Sequence, residues 1–231
     1  NLQELYLVFA FLSNELPVTH VTIPVFMDDL RADGSREELV RDIKQSNPDF
    51  RIGNSNPAAA KINKYFTEHK EQVNSSTYIV DVNLTPQEKS ERFLNDWLDS
   101  ETEIWKKRGE VRGDLFNKLY FFRNWLFGIN AQTKRKLIKD RYVSNMQAME
   151  AILQLCKERN IDPVIYIPPI RYDVDIPYDE AEYTKFKGDL SELARRYNYK
   201  VLNLEHAVPN NFWGTKASTT GKSGGEIDFM H

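Results

Sequence analysis

The chain has 231 residues, 41% of them hydrophobic, which is enough for one sizeable domain with a buried core. A net charge of −3 argues against a broad nucleic-acid-binding surface, and no apolar stretch reaches the roughly 20 residues of a spanning helix. The single cysteine, Cys156, cannot form an internal disulfide and lies in an apolar helical pattern that predicts a core position.

The first part of the chain predicts a helix, a strand and a second helix. Residues Leu2 to Asn14 have a helical apolar pattern, with one face made of Leu5, Val8, Phe9 and Leu12. The segment Val18–Phe26 is rich in β-branched residues and predicts a strand buried on both faces. After a loop, Ser35 is predicted to cap the second helix, with Glu38 closing a capping box.

The middle of the chain is mainly helical in pattern. A helix is predicted from Pro57, and "NSSTYIVDVNLTP" reads as a loop or an edge strand. From Glu88 to Phe127 the period is helical, so we expect a helical insertion over about residues 86–140 within a single α/β domain spanning 1–231. The unusually aromatic run Leu115–Phe127 fits the core of that insertion, a cover over an acyl or glycan site, or a helix on a membrane surface.

The order helix, strand, helix, strand returns after Arg141. Strands and helices that alternate at these lengths imply right-handed crossovers and a parallel sheet with helices on both faces. We therefore expect an α/β fold in which Val18–Phe26, Pro163–Ile167 and Lys200–Asn203 are neighbouring parallel strands.

Polar residues follow the carboxyl end of each predicted strand, where open α/β sheets gather their functional loops. They are Asp28, Asp29 and Arg31 after the first strand, Arg171 and Tyr172 after the second, and Glu205 and His206 after the third. The last loop continues to Asp228 and His231, whose spacing lets a carboxylate orient an imidazole and fix its tautomer. We expect all of them on one rim, although this spacing also fits a helix-capping aspartate beside an unrelated histidine.

Three segments give the chain a resemblance to the SGNH (GDSL-type) hydrolase superfamily: "VTIPVFMDDLR", "PPIRYDVDIPYDEAEYTKFKGDL" and the ending "GGEIDFMH". The second of these is similar to the larger cell-envelope members of the D-alanine transfer and alginate acetylation types. The resemblance implies a flavodoxin-like three-layer sandwich with a nucleophilic serine on the first strand. It further implies oxyanion-hole residues after the second and third strands, with His231 as base and Asp228 orienting it.

The third family block departs from its usual form, G-x-N-D. Here it reads Phe26-Met27-Asp28-Asp29, which lacks the glycine and replaces the oxyanion-binding asparagine by a carboxylate. The resemblance also implies that the serine strand precedes Asn1, so we expect a piece of a longer chain. Ser223 forms a G-x-S-x-G pattern, but it follows a loop and not a strand, so we interpret it as part of a flexible loop.

The resemblance predicts a serine esterase or O-acyltransferase that acts on an acylated cell-envelope polysaccharide or a similar ester, in the envelope or outside the cell. The expected partners are an acylated glycan or small ester and a membrane-associated protein that donates the acyl group, with no nucleic acid, metal or cofactor. Arg171 is predicted to bind an anionic substrate group, or else to form an ordinary surface ion pair. The alternative function is a non-catalytic scaffold that binds glycan or a partner in polymer export.

Overall fold

The computed structural model describes residues 1–53, 56–68, 78–79, 93, 97, 114–129, 133–216 and 226–227. The helices are α1 (Leu2–Glu15), α2 (Glu37–Ser46), α3 (Pro57–Glu68), α4 (Asp114–Leu126), α5 (Lys139–Arg159) and α6 (Glu180–Arg196). The strands are β1 (His20–Pro24), β2 (Ser35–Arg36), β3 (Tyr78–Ile79), β4 (Asp162–Ile167), β5 (Val201–Asn203), β6 (Thr215–Lys216) and β7 (Glu226–Ile227). Two short 3-10 helices cover Met27–Leu30 and Asn210–Phe212.

The chain divides into two compact units. The first unit comprises Asn1–Asp81, Lys136–Pro168 and Asp179–Glu205, and the second comprises Val82–Arg135, Pro169–Tyr178 and His206–His231. The first contains β1 to β5 and every α-helix named above except α4, which belongs to the second.

A parallel three-stranded sheet in the order β1-β4-β5 forms the centre of the first unit. In this sheet His20 pairs with Asp162, and Ile165 pairs with Val201. The expected α/β class and the three expected neighbouring parallel strands are therefore confirmed.

Burial along β4 alternates, which corrects the expectation of strands covered on both faces. Pro163, Ile165 and Ile167 are buried, whereas Val164 between them is 42% exposed. Leu202, which is paired with Tyr166, is 47% exposed. Successive side chains of a strand point to opposite faces, so one face of the sheet is open to solvent at these positions.

Helix α5 is the central packing element of the first unit and contacts α1, α3, α6 and β4. Its buried side chains are mostly apolar and include Met149, Ile152, Leu153 and Leu155. Cys156 is also buried, as its apolar context predicts. The helix ends at Asn160, whose φ of 54° lies in the left-handed region that commonly terminates helices.

The buried face of α1 differs from the one predicted. Leu2, Tyr6, Leu7, Phe9 and Ala10 are buried, and Leu12 is exposed. The helix is apolar around most of its circumference, so its periodicity alone does not select one face. Its packing against α5 decides the orientation.

The predicted capping box at Ser35 is wrong. Ser35 belongs to β2 and pairs with Ile79 of β3, and α2 begins after Arg36 without a side-chain cap. The backbone of Ser35 is used for antiparallel pairing, so this residue takes an extended strand conformation one residue before the cap position. The short strand β3 agrees with the edge-strand alternative for its segment.

The predicted helical insertion stays a prediction. Phe93, Trp97 and α4 are helical, but the other residues between Glu88 and Asp114 lie outside the described residues. In the second unit β6 and β7 form an antiparallel pair. Across the part of the chain that the structure describes, no helix has both the length and the apolar character needed to span a bilayer.

Candidate functional site

The 3-10 helix that follows β1 presents two carboxylates at the carboxyl end of that strand. Met27 and Leu30, at its two ends, are buried in the first unit. Between them, the Asp28 and Asp29 side chains remain partly exposed. The two apolar residues thus anchor the turn and leave the carboxylates near the surface.

Arg31 neutralises part of this acidic turn. Its Nη1 lies 3.2 Å from Asp28 Oδ1, and its Nε donates to the Lys136 carbonyl at 3.1 Å. The carbonyl of Arg31 in turn accepts a hydrogen bond of 3.1 Å from Arg141 Nη1 at the start of α5. Arg31 is therefore fixed through both its side chain and its backbone beside Asp28.

Asp29 closes the turn on itself. Its Oδ2 accepts a hydrogen bond of 3.0 Å from the backbone N–H of Phe26. Burial raises the pKa of the Asp29 carboxyl above its usual value, although the hydrogen bond from Phe26 acts in the opposite direction. This aspartate therefore has a structural role in the turn.

A third carboxylate, Asp33, ties the same loop to α1 and α3, and the sequence did not single it out. Its Oδ1 accepts from Gln3 Nε2 at 2.6 Å, from Lys61 Nζ at 2.7 Å and from the Gly34 N–H at 3.0 Å. Asp33-Gly34 is an ordinary turn signal, and no spacing rule connects it to residues of α1 and α3. Only the tertiary structure brings these donors together.

Asn145 of α5 anchors this loop from the other side. Its Oδ1 accepts from the Leu2 N–H at 3.1 Å, and its Nδ2 donates to the Ala32 carbonyl at 2.7 Å. The side chain is completely buried, so these bonds form in a region where an unpaired amide would be costly. The loop after β1 is thus held rigidly against α1 and α5.

Glu205 is a buried carboxylate just beyond the carboxyl end of β5. Lys187 Nζ contacts both of its oxygens, at 3.0 and 3.1 Å, and Asn203 Nδ2 also donates to it. Burial acts to raise the pKa of Glu205, but hydrogen bonds from Asn203, Lys187 and Tyr183 outweigh it and hold the pKa below the usual value. The sequence placed Glu205 at a strand end but gave no sign of its lysine partner on α6.

Arg171, in the second unit, forms an ion pair with Asp173. Its Nε and Nη2 contact the two carboxylate oxygens of Asp173 at 2.6 and 3.0 Å, and its Nη1 donates to the Gly214 carbonyl at 3.0 Å. The hydrogen bond to Asp173 raises the pKa of Arg171 and lowers that of Asp173. This geometry matches the surface ion pair that was the alternative prediction for Arg171. An anionic ligand would have to displace Asp173 to bind the same guanidinium nitrogens.

Next to Arg171, Tyr172 packs edge-to-face on His206, with ring centroids 4.6 Å apart. The Tyr172 and His206 side chains are both exposed. The contact orders the imidazole at the surface of the second unit and leaves part of it accessible.

Of the six predicted site residues, the structure brings Asp28, Asp29 and Arg31 together on one turn. Arg171 lies in the other unit, and Asp228 and His231 lie outside the described residues, as does Ser223. Glu226–Ile227, immediately before Asp228 in sequence, forms strand β7. The expectation that all six share one rim stays a prediction.

Among the described residues, no group of three or more His, Cys, Asp or Glu side chains is arranged to hold a metal ion. No family model, curated protein or solved structure matches this chain.

Proposed function

We propose that this chain is an SGNH-type serine esterase or O-acyltransferase with a flavodoxin-like fold, acting on an acylated cell-envelope polysaccharide or a similar ester. His231 is the general base, and Asp228 orients its imidazole. In the family that the sequence resembles, the nucleophile is a serine on the first strand.

One observation carries the proposal: β1, β4 and β5 are adjacent and parallel. Their carboxyl ends consequently lie at the same edge of one sheet, the edge at which α/β enzymes bind their ligands. The loop with Asp28 and Asp29 follows β1, and Glu205 follows β5. Past β5 the chain runs on to the D-x-x-H sequence, which is the order of blocks in SGNH hydrolases.

The chemistry proposed is acyl transfer through a covalent intermediate. The serine oxygen attacks the acyl carbon while its proton passes to His231, which then gives that proton to the leaving alcohol oxygen. Water, or the hydroxyl of an acceptor, then takes the acyl group from the serine with His231 again as base. The Asp228 carboxylate stabilises the imidazolium that forms in each half of the reaction.

The pairing of Asp28 with Arg31 favours a second candidate, a non-catalytic scaffold that binds glycan or a partner in polymer export. At the position where the family has an asparagine amide, this chain has a carboxylate held 3.2 Å from a guanidinium nitrogen. A carboxylate cannot donate to an oxyanion while ionised, and loss of one oxyanion donor reduces kcat by roughly 10²–10³. A scaffold does not need that donor.

Release of acetate from an aryl acetate by the full-length protein tests the enzymatic proposal. We expect His231→Ala to abolish release with an unchanged melting temperature, and Asp228→Asn to lower the rate strongly because it permits the wrong imidazole tautomer. Ser223→Ala is the matched control and should retain full activity. Full activity of His231→Ala would exclude this mechanism, and loss of activity in Ser223→Ala alone would move the nucleophile to that serine.

The scaffold is distinguished by Asp28→Asn, which restores an amide at the family position. An enzyme limited by its oxyanion donors should become faster by up to roughly 10²-fold, whereas a scaffold should remain inactive in both forms. Binding of an acetylated polysaccharide, measured by calorimetry with the inactive wild-type protein, would then support the scaffold.

A further inference from the structure

Helix α4 in the second unit exposes a stripe of large apolar side chains. Leu119, Phe122, Trp125 and Leu126 recur at the spacing that places residues on one side of a helix. Phe122 is 56% exposed and Trp125 is 61% exposed, and their rings pack against each other with centroids 5.8 Å apart. Single exposed apolar residues are common on proteins, but a contiguous aromatic stripe marks an interaction surface.

Helix α4 buries one polar side chain, Asn124, while it exposes several large apolar ones. Asn124 is only 1% exposed, while the aromatic residues on either side of it in the helix face solvent. Its Oδ1 accepts from Arg123 Nη2 at 3.0 Å. Because α4 buries Asn124 and exposes Trp125 and Phe122, its exposed face is suited to an apolar environment.

The end of α4 is well defined and carries another exposed aromatic residue, Phe127. Gly128 has a φ of 62°, its N–H bonds to the Trp125 carbonyl at 3.3 Å, and the Ile129 N–H bonds to the Asn124 carbonyl at 2.8 Å. This pair of bonds is a Schellman motif, which stops the helix directly after the apolar stripe. The apolar stripe therefore ends where the helix ends.

The charges nearest to this stripe in sequence are mainly positive. Helix α4 has one acidic residue, Asp114 at its start, and two basic ones, Lys118 and Arg123. The basic segment continues with Lys134 and Arg135 of the same unit. Arg123 lies 4.8 Å from the centre of the Tyr120 ring, so at least one cation is held beside the exposed aromatic residues. An apolar stripe in a basic segment is complementary to an anionic surface with an apolar layer beneath it.

We propose that α4 binds in the plane of a membrane that contains anionic lipid, with the stripe in the acyl-chain boundary and the basic residues at the headgroups. Trp and Tyr favour this boundary because each has an apolar ring and one polar group. The 13 residues of α4 extend for about 20 Å, which is less than the roughly 30 Å of hydrocarbon in a bilayer, so the helix lies on the surface. This inference is independent of the proposed acyl-transfer chemistry.

Two other occupants of the stripe fit the charge less well. A second copy of this chain would bring the same basic segment against itself, and like charges brought together oppose association. A protein partner would need an acidic rim around an apolar groove. The lipid surface supplies both the negative charge and the apolar layer, and we therefore assign the stripe to it.

The test is co-sedimentation of the full chain with two kinds of vesicle. One contains phosphatidylcholine alone, and the other contains phosphatidylcholine with about 30% phosphatidylglycerol, an anionic lipid. We expect binding to the anionic vesicles, weakened by salt, together with a blue shift of Trp125 emission that is absent in Trp125→Phe. Phe122→Ser with Trp125→Ser should lower the partition coefficient roughly tenfold or more. Lys118→Glu with Arg123→Glu should produce a similar loss that is specific to anionic vesicles.

Matched controls change equivalent residues elsewhere. Leu16→Ser removes an exposed leucine outside the stripe, and Lys157→Glu with Lys200→Glu reverses two exposed charges outside the basic segment. The controls should bind vesicles nearly as the wild type does. Absence of binding at low salt, or binding unaffected by Phe122→Ser with Trp125→Ser, would overturn the proposal. A dimer in sedimentation velocity that this double variant dissociates would assign the stripe to a second copy instead.

Discussion

The Nζ atom of Lys187 lies 3.0 Å from one carboxylate oxygen of Glu205 and 3.1 Å from the other, and this pair joins the middle of α6 to the end of β5. Glu205 is buried, so its charge is compensated by protein groups and only weakly by water. The contact therefore connects the packing of a helix to the edge of the sheet at which we place the functional loops.

Replacement of Lys187 by Met should lower the free energy of unfolding by about 2–3 kcal/mol, because it leaves a buried carboxylate with fewer donors. Urea denaturation followed by circular dichroism measures the change. The matched control is Arg195→Met, which breaks the exposed Arg195–Glu192 pair of the same helix and should change stability by less than about 0.5 kcal/mol. Equal effects of the two substitutions would contradict a special role for Lys187.

The same carboxylate predicts a dependence of stability on pH. The pKa of Glu205 is lower in the folded chain than its ordinary value of 4.5, so its stabilising contribution is present above that value. The contribution is lost as pH falls through the lower, folded-state pKa. Unfolding measured between pH 6 and about pH 3 should show a smaller decline for Glu205→Gln than for the wild type. If the stability of the variant and of the wild type declined equally, other carboxyl groups would be responsible for the loss of stability at low pH.

Asp33→Asn should destabilise the loop after β1 by about 2–3 kcal/mol. The change removes the charge that Lys61 and Gln3 approach at 2.7 and 2.6 Å, and it leaves the Lys61 ammonium partly buried. Thermal unfolding provides the measurement. Asp42→Asn, on the exposed surface of α2, is the control and should be nearly neutral.

Two glycine substitutions should change stability in opposite directions. Gly188 lies in α6 with no atom within 4 Å of an added Cβ, so Gly188→Ala should stabilise the chain by about 0.5–1 kcal/mol. Gly128 has a φ of 62°, so Gly128→Ala should destabilise the end of α4 by about 1 kcal/mol. Hydrogen exchange of the Ile129 amide reports the local effect, and its protection should fall only in Gly128→Ala.

The thiol of Cys156 should be unreactive in the folded protein. Burial, and then the nearby charge of Asp162, raise its pKa to about 12, so roughly one thiol in 10⁴ is ionised at pH 8. Labelling by a chromogenic disulfide should therefore proceed only on unfolding, with a rate that rises with urea concentration. Rapid labelling without denaturant would contradict the buried position.

The parallel sheet could be predicted because its strands are runs of β-branched residues separated by long amphipathic segments. That information is local, and each strand was placed within about two residues of its position. The face of α1 could not be predicted, because a helix that is apolar on most sides is oriented only by its partner, α5. The Ser35 cap failed for a similar reason: its partner, Ile79, is distant in sequence.

In the candidate site, too, contacts between sequence neighbours could be predicted and contacts between distant elements could not. Asp28, Asp29 and Arg31 are neighbours in sequence, and their grouping on one turn follows directly from the end of β1. The partners of Asp33 and Glu205 come from other elements, α3 and α6, and neither pair has a fixed spacing that a sequence pattern could reveal. Exposure of Trp125 is likewise a tertiary property, since its helical pattern is equally compatible with a core.

The pairing of His20 with Asp162 has a consequence for how the chain is made. During synthesis, β1 leaves the ribosome roughly 140 residues before its only sheet neighbour among the described strands, a delay on the order of 10 s at 5–20 residues per second. Through that interval the β-branched run around Ile23 cannot form its pairing with β4. Recognition of nascent β1 by a chaperone, or slow refolding of the purified chain, is the expected outcome of a sheet whose strands are so distant in sequence.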